Sequence, residues 1–176
     1  MRGASVTLVS GPVNIEPFIG IDVVNVKSAA DMAEAVAARS EASDIVVMCS
    51  AVADYTPTHY SAQKVKKSDG ELSIPLARTT DILHTLGMKK KEGQMLVEFS
   101  METENLIENS RKKLSKKNAD IICANTIADG GDTGFAVDTN QVTLITETEV
   151  ITLPLCTKEE TADLILSHVV ELQKGR

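Results

Sequence analysis

The strongest constraint in this sequence is an alternation: short, continuous apolar runs are separated by stretches with helical periodicity. "SVTLVS" (5–10), "IDVVNV" (21–26), "DIVVMCSAVA" (44–53), "QMLVEFS" (94–100) and "ADIICAN" (119–125) read as strands. Runs without a polar alternate belong to a sheet covered on both faces. Between them, 28–40 carries apolar residues at helical spacing behind Ser28, a candidate N-cap, and 80–90 and 103–116 also read as helices. "QVTLIT" and "VITLPL" flank "ETE" as an antiparallel hairpin added to that sheet. A last helix, 158–173, follows Thr157, with Glu160 at capping-box distance.

These elements predict an α/β fold: a Rossmann-like, doubly wound, mostly parallel sheet with helices on both faces. The 176 residues suit one domain, 1–176, with no linker or repeat. One region departs from the alternation. In "QKVKKSDGELSIPLART" (63–79) two alternating segments flank Ser-Asp-Gly, which predicts a protruding β-hairpin arm at about 61–79 that pairs with another subunit or closes over a site. The beginning departs too. No Gly-rich phosphate turn and helix precede Ser5, so the expectation is a domain short of its first strand–loop–helix unit.

Charge and composition remove whole classes. The net charge of −7 argues against a general nucleic-acid binder, and 3% aromatics leave little for stacking bases. No apolar run reaches the ~20 residues of a membrane span and no secretory signal is present, so a cytoplasmic protein is expected. The three cysteines show no metal-ligand spacing; Cys49 and Cys123 lie in apolar runs and read as buried reduced thiols. No GxGxxG or Walker lysine motif occurs, which disfavours a dinucleotide oxidoreductase. His59, His84 and His168 form no metal or triad spacing.

Ligands of an open parallel sheet bind beyond the carboxyl ends of its strands. Polar groups follow four strand ends: Ser10-Gly11-Pro12, Asp54, Phe99-Ser100 with Glu102, and Asn125. Asp54 supports two readings, a carboxylate that accepts from a ribose or base amine and a turn-forming residue before Tyr-Thr-Pro. Lys113 and Lys117 share a helix face, as do Lys112 and Lys116, while Lys64 and Lys66 share one face of an expected strand. Such amines suit a polyphosphate; a single lysine is more often part of a solvated face, but clusters in an otherwise acidic chain favour an anionic ligand.

Taken together, "VTLVSGP", "SAVADYTP", "QKVKKSDGELSIPLARTTDIL", "METENLIENSRKKLSKKNADIICAN", "GFAVDTNQVTLI" and "LPLCTKEETADLIL" resemble the synthetase part of bacterial phosphopantothenoylcysteine synthetases. The resemblance runs from about residue 3 to about residue 170. In most bacteria that part is fused behind a flavin-dependent decarboxylase, and flavin mononucleotide would belong to that part alone. The resemblance implies a CTP-dependent ligase of coenzyme A biosynthesis. CTP, with magnesium, activates the carboxylate of 4′-phosphopantothenate as an acyl-cytidylate, and the amine of cysteine displaces CMP.

The resemblance also implies roles. Met48, Cys49, Ser50 and Asp54 match cytidine-binding positions, and Lys64 matches a catalytic lysine beside the reacting phosphate. Thr80, Asp81, Ile82 and Leu83 match a nucleotide-contacting loop, with Thr80 where many relatives have proline. Phe99 matches an aromatic beside the base; Lys113 and Lys117 match nucleotide-contacting lysines. Ala51 and Asn125 are candidates on the substrate side, and no metal ligand is assigned. The arm resembles a homodimer-forming extension and, at Lys67 to Gly70, a flap. Glu98 stands where the family usually has glycine, and the family's Asn-x-Ser-Ser-Gly loop has no counterpart here. The alternative is therefore a non-catalytic, dimerising CTP-binding module.

Overall fold

The computed structural model describes residues 2–65, 73–102, 105–126 and 137–175. The elements run β1 (Thr7–Ser10), β2 (Asp22–Asn25), α1 (Ala29–Ser40), β3 (Ile45–Met48), β4 (Tyr55–Pro57), β5 (Leu76–Arg78) and α2 (Ile82–Lys89). They continue with β6 (Met95–Glu102), α3 (Leu106–Lys117), β7 (Ile121–Thr126), β8 (Thr139–Asn140), β9 (Val142–Ile145), β10 (Val150–Thr152), β11 (Cys156–Thr157) and α4 (Lys158–Lys174). They belong to two compact units: residues 1–38 with 51–82, and residues 39–50 with 83–176.

In the first unit, β1 and β2 form a parallel pair in register Thr7↔Asp22 to Ser10↔Asn25. Thr7 and Leu8 of β1 and Asp22 and Asn25 of β2 are exposed and the rest half-buried, so the runs lack the two-sided burial their composition suggested. Ahead of α1, Ser28 caps as expected: Asp31 N–H donates to Ser28 Oγ at 3.1 Å, and Ser28 N–H donates back to the Asp31 carboxylate at 3.0 Å. The bonds from the Ser28 side chain and then its backbone hold the Asp31 carboxyl below its ordinary value.

β4 and β5 form an antiparallel ribbon, with Tyr55 opposite Arg78 and the Arg78 guanidinium 5.8 Å from the Tyr55 ring centroid. One expectation is corrected here. The run from 44 does not continue as a strand to Ala53: β3 stops at Met48, and the small residues Ser50, Ala51 and Ala53 are exposed. Such residues have little side chain to bury in a pleat. In the second segment of the arm, Leu76–Arg78 pairs with Tyr55–Pro57. Lys64 lies outside any strand, because the Ser61 hydroxyl donates to the Gln63 carbonyl at 2.7 Å and turns the backbone locally. The expected turn at 68–70, the flap from Lys67 to Gly70, and Lys66 lie outside the described residues.

The second unit holds a five-stranded sheet in the order β10-β9-β7-β6-β3. β3, β6 and β7 are mutually parallel, and the β9–β10 hairpin joins them antiparallel, as its sequence suggested. The pleat sorts side chains by parity. Met95, Val97, Ile121, Cys123, Val142 and Leu144 share one face and pack with Leu153 and with Ile165 and Val169 of α4. Each such burial is worth roughly 1.5–3 kcal/mol. Leu96, Ile122, Ala124 and Ile145 are buried on the other face, where α3 contacts β6, β7 and β9. Helices therefore cover both faces. The capping box of α4 forms as expected, with Glu160 N–H donating to Thr157 Oγ1 and Thr157 N–H to the Glu160 carboxylate.

Where α3 ends, a polar clamp ties three elements together. Asn118 closes the helix in the left-handed region (φ 51°) and donates through Nδ2 to the Gly87 carbonyl at 2.9 Å. The backbones come so close here that a Cβ on Gly87 would overlap the Lys117 carbonyl. Lys90 Nζ meets the Asn118 carbonyl at 2.7 Å and Asp120 Oδ1 at 2.9 Å, while Asp120 Oδ2 accepts the Leu96 N–H at 2.6 Å. Cys123 is buried, and burial pushes its thiol up to about 12. Cys49, expected to be buried, is exposed because it follows the last paired residue of β3.

Candidate functional site

The parallel strands of the second unit bring two of the expected polar positions, and the Met48–Ser50 segment, to one end of the sheet. Met48 closes β3, with Cys49 and Ser50 immediately beyond it; Ser100 lies two residues from the end of β6, and Asn125 one from the end of β7. The ladder sets Ser100 opposite Ala124 and Met101 opposite Asn125, so Ser100 and Asn125 face opposite sides of the sheet.

On the Ser100 side, α3 supplies the amines. Lys113 Nζ donates to Ser100 Oγ at 2.9 Å, fixing an ammonium at the carboxyl end of β6. Lys113 and Lys117 are half-buried, one turn apart on the same helix face. Lys112 and Lys116 are exposed, and Lys112 pairs with Glu108 at 2.7 Å, a bond that holds the Glu108 carboxyl below its ordinary value. The two lysine pairs, indistinguishable by spacing, are thus separated by the fold: one turns to the sheet and one to solvent.

On the other side, Phe99 packs partly against the α4-covered core, and the carboxamide of Asn125 bonds to that of Asn140 at 3.1 Å. Asn140 is buried and ends β8. Sequence reading passed over Asn140, since a lone Asn before an apolar run looks like a turn residue.

In the first unit, Thr79 stitches two expected segments to each other. Its N–H donates to the Asp54 carbonyl at 2.9 Å and its hydroxyl to the Ala53 carbonyl at 2.7 Å. Asp54 is thereby held at the same end of the β4–β5 ribbon as Thr80, with Ala51 three residues before it in the chain and Asp81 and Ile82 the next two after Thr80. Thr79 was not among the expected site residues; the "RTTDIL" run gives no hint of which threonine latches. The Asp54 carboxylate is exposed and accepts no hydrogen bond among the described residues, so nothing there engages it as a turn-former. Lys64 is exposed in the first unit, and Leu83 is buried in the second, in the first turn of α2.

Among the described residues, no group of three or more His, Cys, Asp and Glu side chains converges to hold a metal ion, and no helix is long and apolar enough to cross a membrane. A cleft of about 290 Å³ in the second unit is lined by Ile121, Leu144, Ile151, His168, Glu171 and Leu172 among others. It opens near the start of β7, away from the strand ends described above, and none of the expected site residues lines it.

The family model for the DNA/pantothenate metabolism flavoprotein C-terminal domain matches residues 1–172. The chain is 44% identical over 174 residues to the coenzyme A biosynthesis bifunctional protein CoaBC of Bacillus subtilis (strain 168), covering 98% of this chain and 42% of that protein. It is 42% identical over 172 residues to a cysteine/cysteine sulfinic acid decarboxylase of an unknown prokaryotic organism, covering 97% of this chain and 48% of that protein. The chain thus spans less than half the length of either relative. A crystal structure of the C-terminal domain of coenzyme A biosynthesis bifunctional protein CoaBC superimposes with a TM-score of 0.81 at 39% identity, covering 99% of this chain and 77% of that one. With the Rossmann-like parallel strands, the α3 lysines and a match across nearly its whole length, the chain belongs to the DNA/pantothenate metabolism flavoprotein C-terminal domain family.

Proposed function

We propose that this chain joins 4′-phosphopantothenate to cysteine at the expense of CTP. The observation that carries the reading is the ammonium of Lys113, held by Ser100 at the carboxyl end of β6 with Lys117 one turn away. Half-buried amines in this position suit the phosphates of a nucleotide, and the bifunctional coenzyme A relative supports the choice of pathway.

The chemistry follows from the leaving group. A carboxylate cannot expel oxide, so its oxygen first attacks the α-phosphorus of CTP and the bond to pyrophosphate breaks. The amine of cysteine then attacks the acyl carbon of the cytidylate, loses a proton and expels CMP. Lys64 is proposed to offset charge at the reacting phosphate, and Lys113 and Lys117 to hold the triphosphate. Asp54 is proposed to accept the exocyclic amine of cytosine. Met48, Cys49, Ser50, Thr80, Asp81, Ile82, Leu83 and Phe99 would complete the nucleotide contacts, with Ala51 and Asn125 on the acid-substrate side. The described residues do not by themselves build a cage for a metal ion. Magnesium would arrive with the triphosphate, as it commonly does, and no step is assigned to a protein-held ion.

Ile74 and Leu76 are exposed at the arm, which supports a homodimer paired there. A cytoplasmic setting and fusion to, or association with, a flavin-dependent decarboxylase complete the reading. Incubation with CTP, 4′-phosphopantothenate and cysteine tests it. Pyrophosphate release that requires the acid, and product mass that requires cysteine, are expected; pyrophosphate release indifferent to the acid would contradict it.

A further inference from the structure

Two side-chain amides in the second unit fix each other's polarity. The backbone N–H of Gln141 can only donate, so the Asn140 atom it meets at 3.0 Å is the carbonyl oxygen Oδ1. The nitrogen of Asn140 is then the end turned to Asn125, and across 3.1 Å it needs an acceptor, which is Asn125 Oδ1. An amide has opposite ends, so Asn125 turns its Nδ2, with two N–H groups, away from Asn140. Rotating either amide by half a turn would set donor against donor or oxygen against oxygen. Asn140 cannot escape this choice, since it is buried and its β8 backbone is paired to β11 through Cys156.

Asn125 stands one residue from the end of β7, opposite Met101 on β6 and Val142 on β9. This is the end of a parallel sheet at which ligands bind. We propose that Asn140 is a positioning residue that makes Asn125 a dedicated hydrogen-bond donor to a carboxylate or phosphate oxygen of the ligand. The proposal deepens the ligase reading and rests on it. A donor-only amide refuses the ammonium of cysteine and any base amine. Among the groups that the reading supplies, it selects the acid substrate's carboxylate or a phosphate.

The test uses the ¹⁵N-labelled chain, following the side-chain amide signals of Asn125 together with the backbone signal of Ser100 as an independent reporter. CTP and 4′-phosphopantothenate are added separately and then together. Movement of the Asn125 Nδ2 protons downfield with either ligand is expected, and the ligand that moves them identifies the oxygen's source. If Ser100 responds and Asn125 does not, the proposal is overturned while the ligase reading stands. If neither responds to any ligand, both are overturned.

Asn140→Asp provides the second arm. Its carboxylate still accepts from Gln141 but now also needs a donor from Asn125, which turns that amide over and presents Oδ1 outward. Affinity for the ligand identified by titration should fall roughly tenfold or more, the scale of one hydrogen bond to a charged group. Affinity for the other ligand should hold. Equal affinity in the folded variant would overturn the proposal; if the variant does not fold, the titration of the unaltered chain still decides.

Discussion

Lys113 Nζ lies 2.9 Å from Ser100 Oγ, so a helix amine is tethered to the carboxyl end of a central strand before any ligand arrives. Pre-placing a flexible amine reduces the entropy lost when it meets a phosphate. Lys113→Ala should weaken CTP binding roughly 10- to 100-fold, the scale of one charge-assisted contact. Ser100→Ala keeps the amine and should cost much less. Fluorescence or calorimetric titration of both variants checks the order; equal losses would mean that Ser100, not the ammonium, is the contact.

The Asp120 clamp makes a prediction about stability alone. Its side chain is 2% exposed and satisfies both Lys90 Nζ and the Leu96 N–H. Asp120→Ala would leave a mostly buried ammonium without its counter-charge, with the Asn118 carbonyl as its remaining acceptor, and a strand N–H unmet, which costs about 3–5 kcal/mol for a broken buried pair. Urea unfolding should show the extrapolated unfolding free energy fall by that amount, through a lower midpoint at unchanged slope. A loss below about 1 kcal/mol would show that water replaces the carboxylate there.

The two capping boxes predict an acid-side dependence. Bonds to Ser28 hold Asp31 below its ordinary 3.8, and bonds to the Thr157 backbone and hydroxyl hold Glu160 below 4.5. A carboxyl depressed by folding stabilises above its unfolded pKa, and that contribution disappears as pH falls through the folded value. Thermal unfolding of Thr157→Ala should show a loss of about 1 kcal/mol at neutral pH. The difference from the unaltered chain should shrink below about pH 4. A constant difference down to pH 3 would assign the effect to the hydroxyl alone.

Local signals were the legible ones. Ser28, Thr157 and Glu160 announce their helices because caps depend on residues three apart, and the 142–152 hairpin announces itself by its short polar turn. Pairing across longer distances was not legible. Apolar runs marked β1 and β2 as strands but did not say that, among the described residues, each would pair with the other. Likewise "SIPLAR" alternates as a strand should, yet its partner, Tyr55–Pro57, looked like a turn because it contains proline and follows Asp54.

At the site, spacing set Lys113 with Lys117 and Lys112 with Lys116 on equal terms. Only the packing of α3 on the sheet turned the first pair inward. Thr79 and Asn140 act through partners 26 and 15 positions away, which no local pattern contains.

The most direct test of the account is calorimetric titration with CTP and with UTP. The two nucleotides differ at the base edge, where cytosine offers an exocyclic amine and uracil a carbonyl oxygen. An exposed Asp54 carboxylate, unengaged by the described residues, should therefore accept from one and repel the other. CTP should bind roughly tenfold or more tighter than UTP, and Asp54→Ala should erase most of that difference. Equal affinity for the two nucleotides in the unaltered chain, or no binding of CTP at millimolar concentration, would contradict the account.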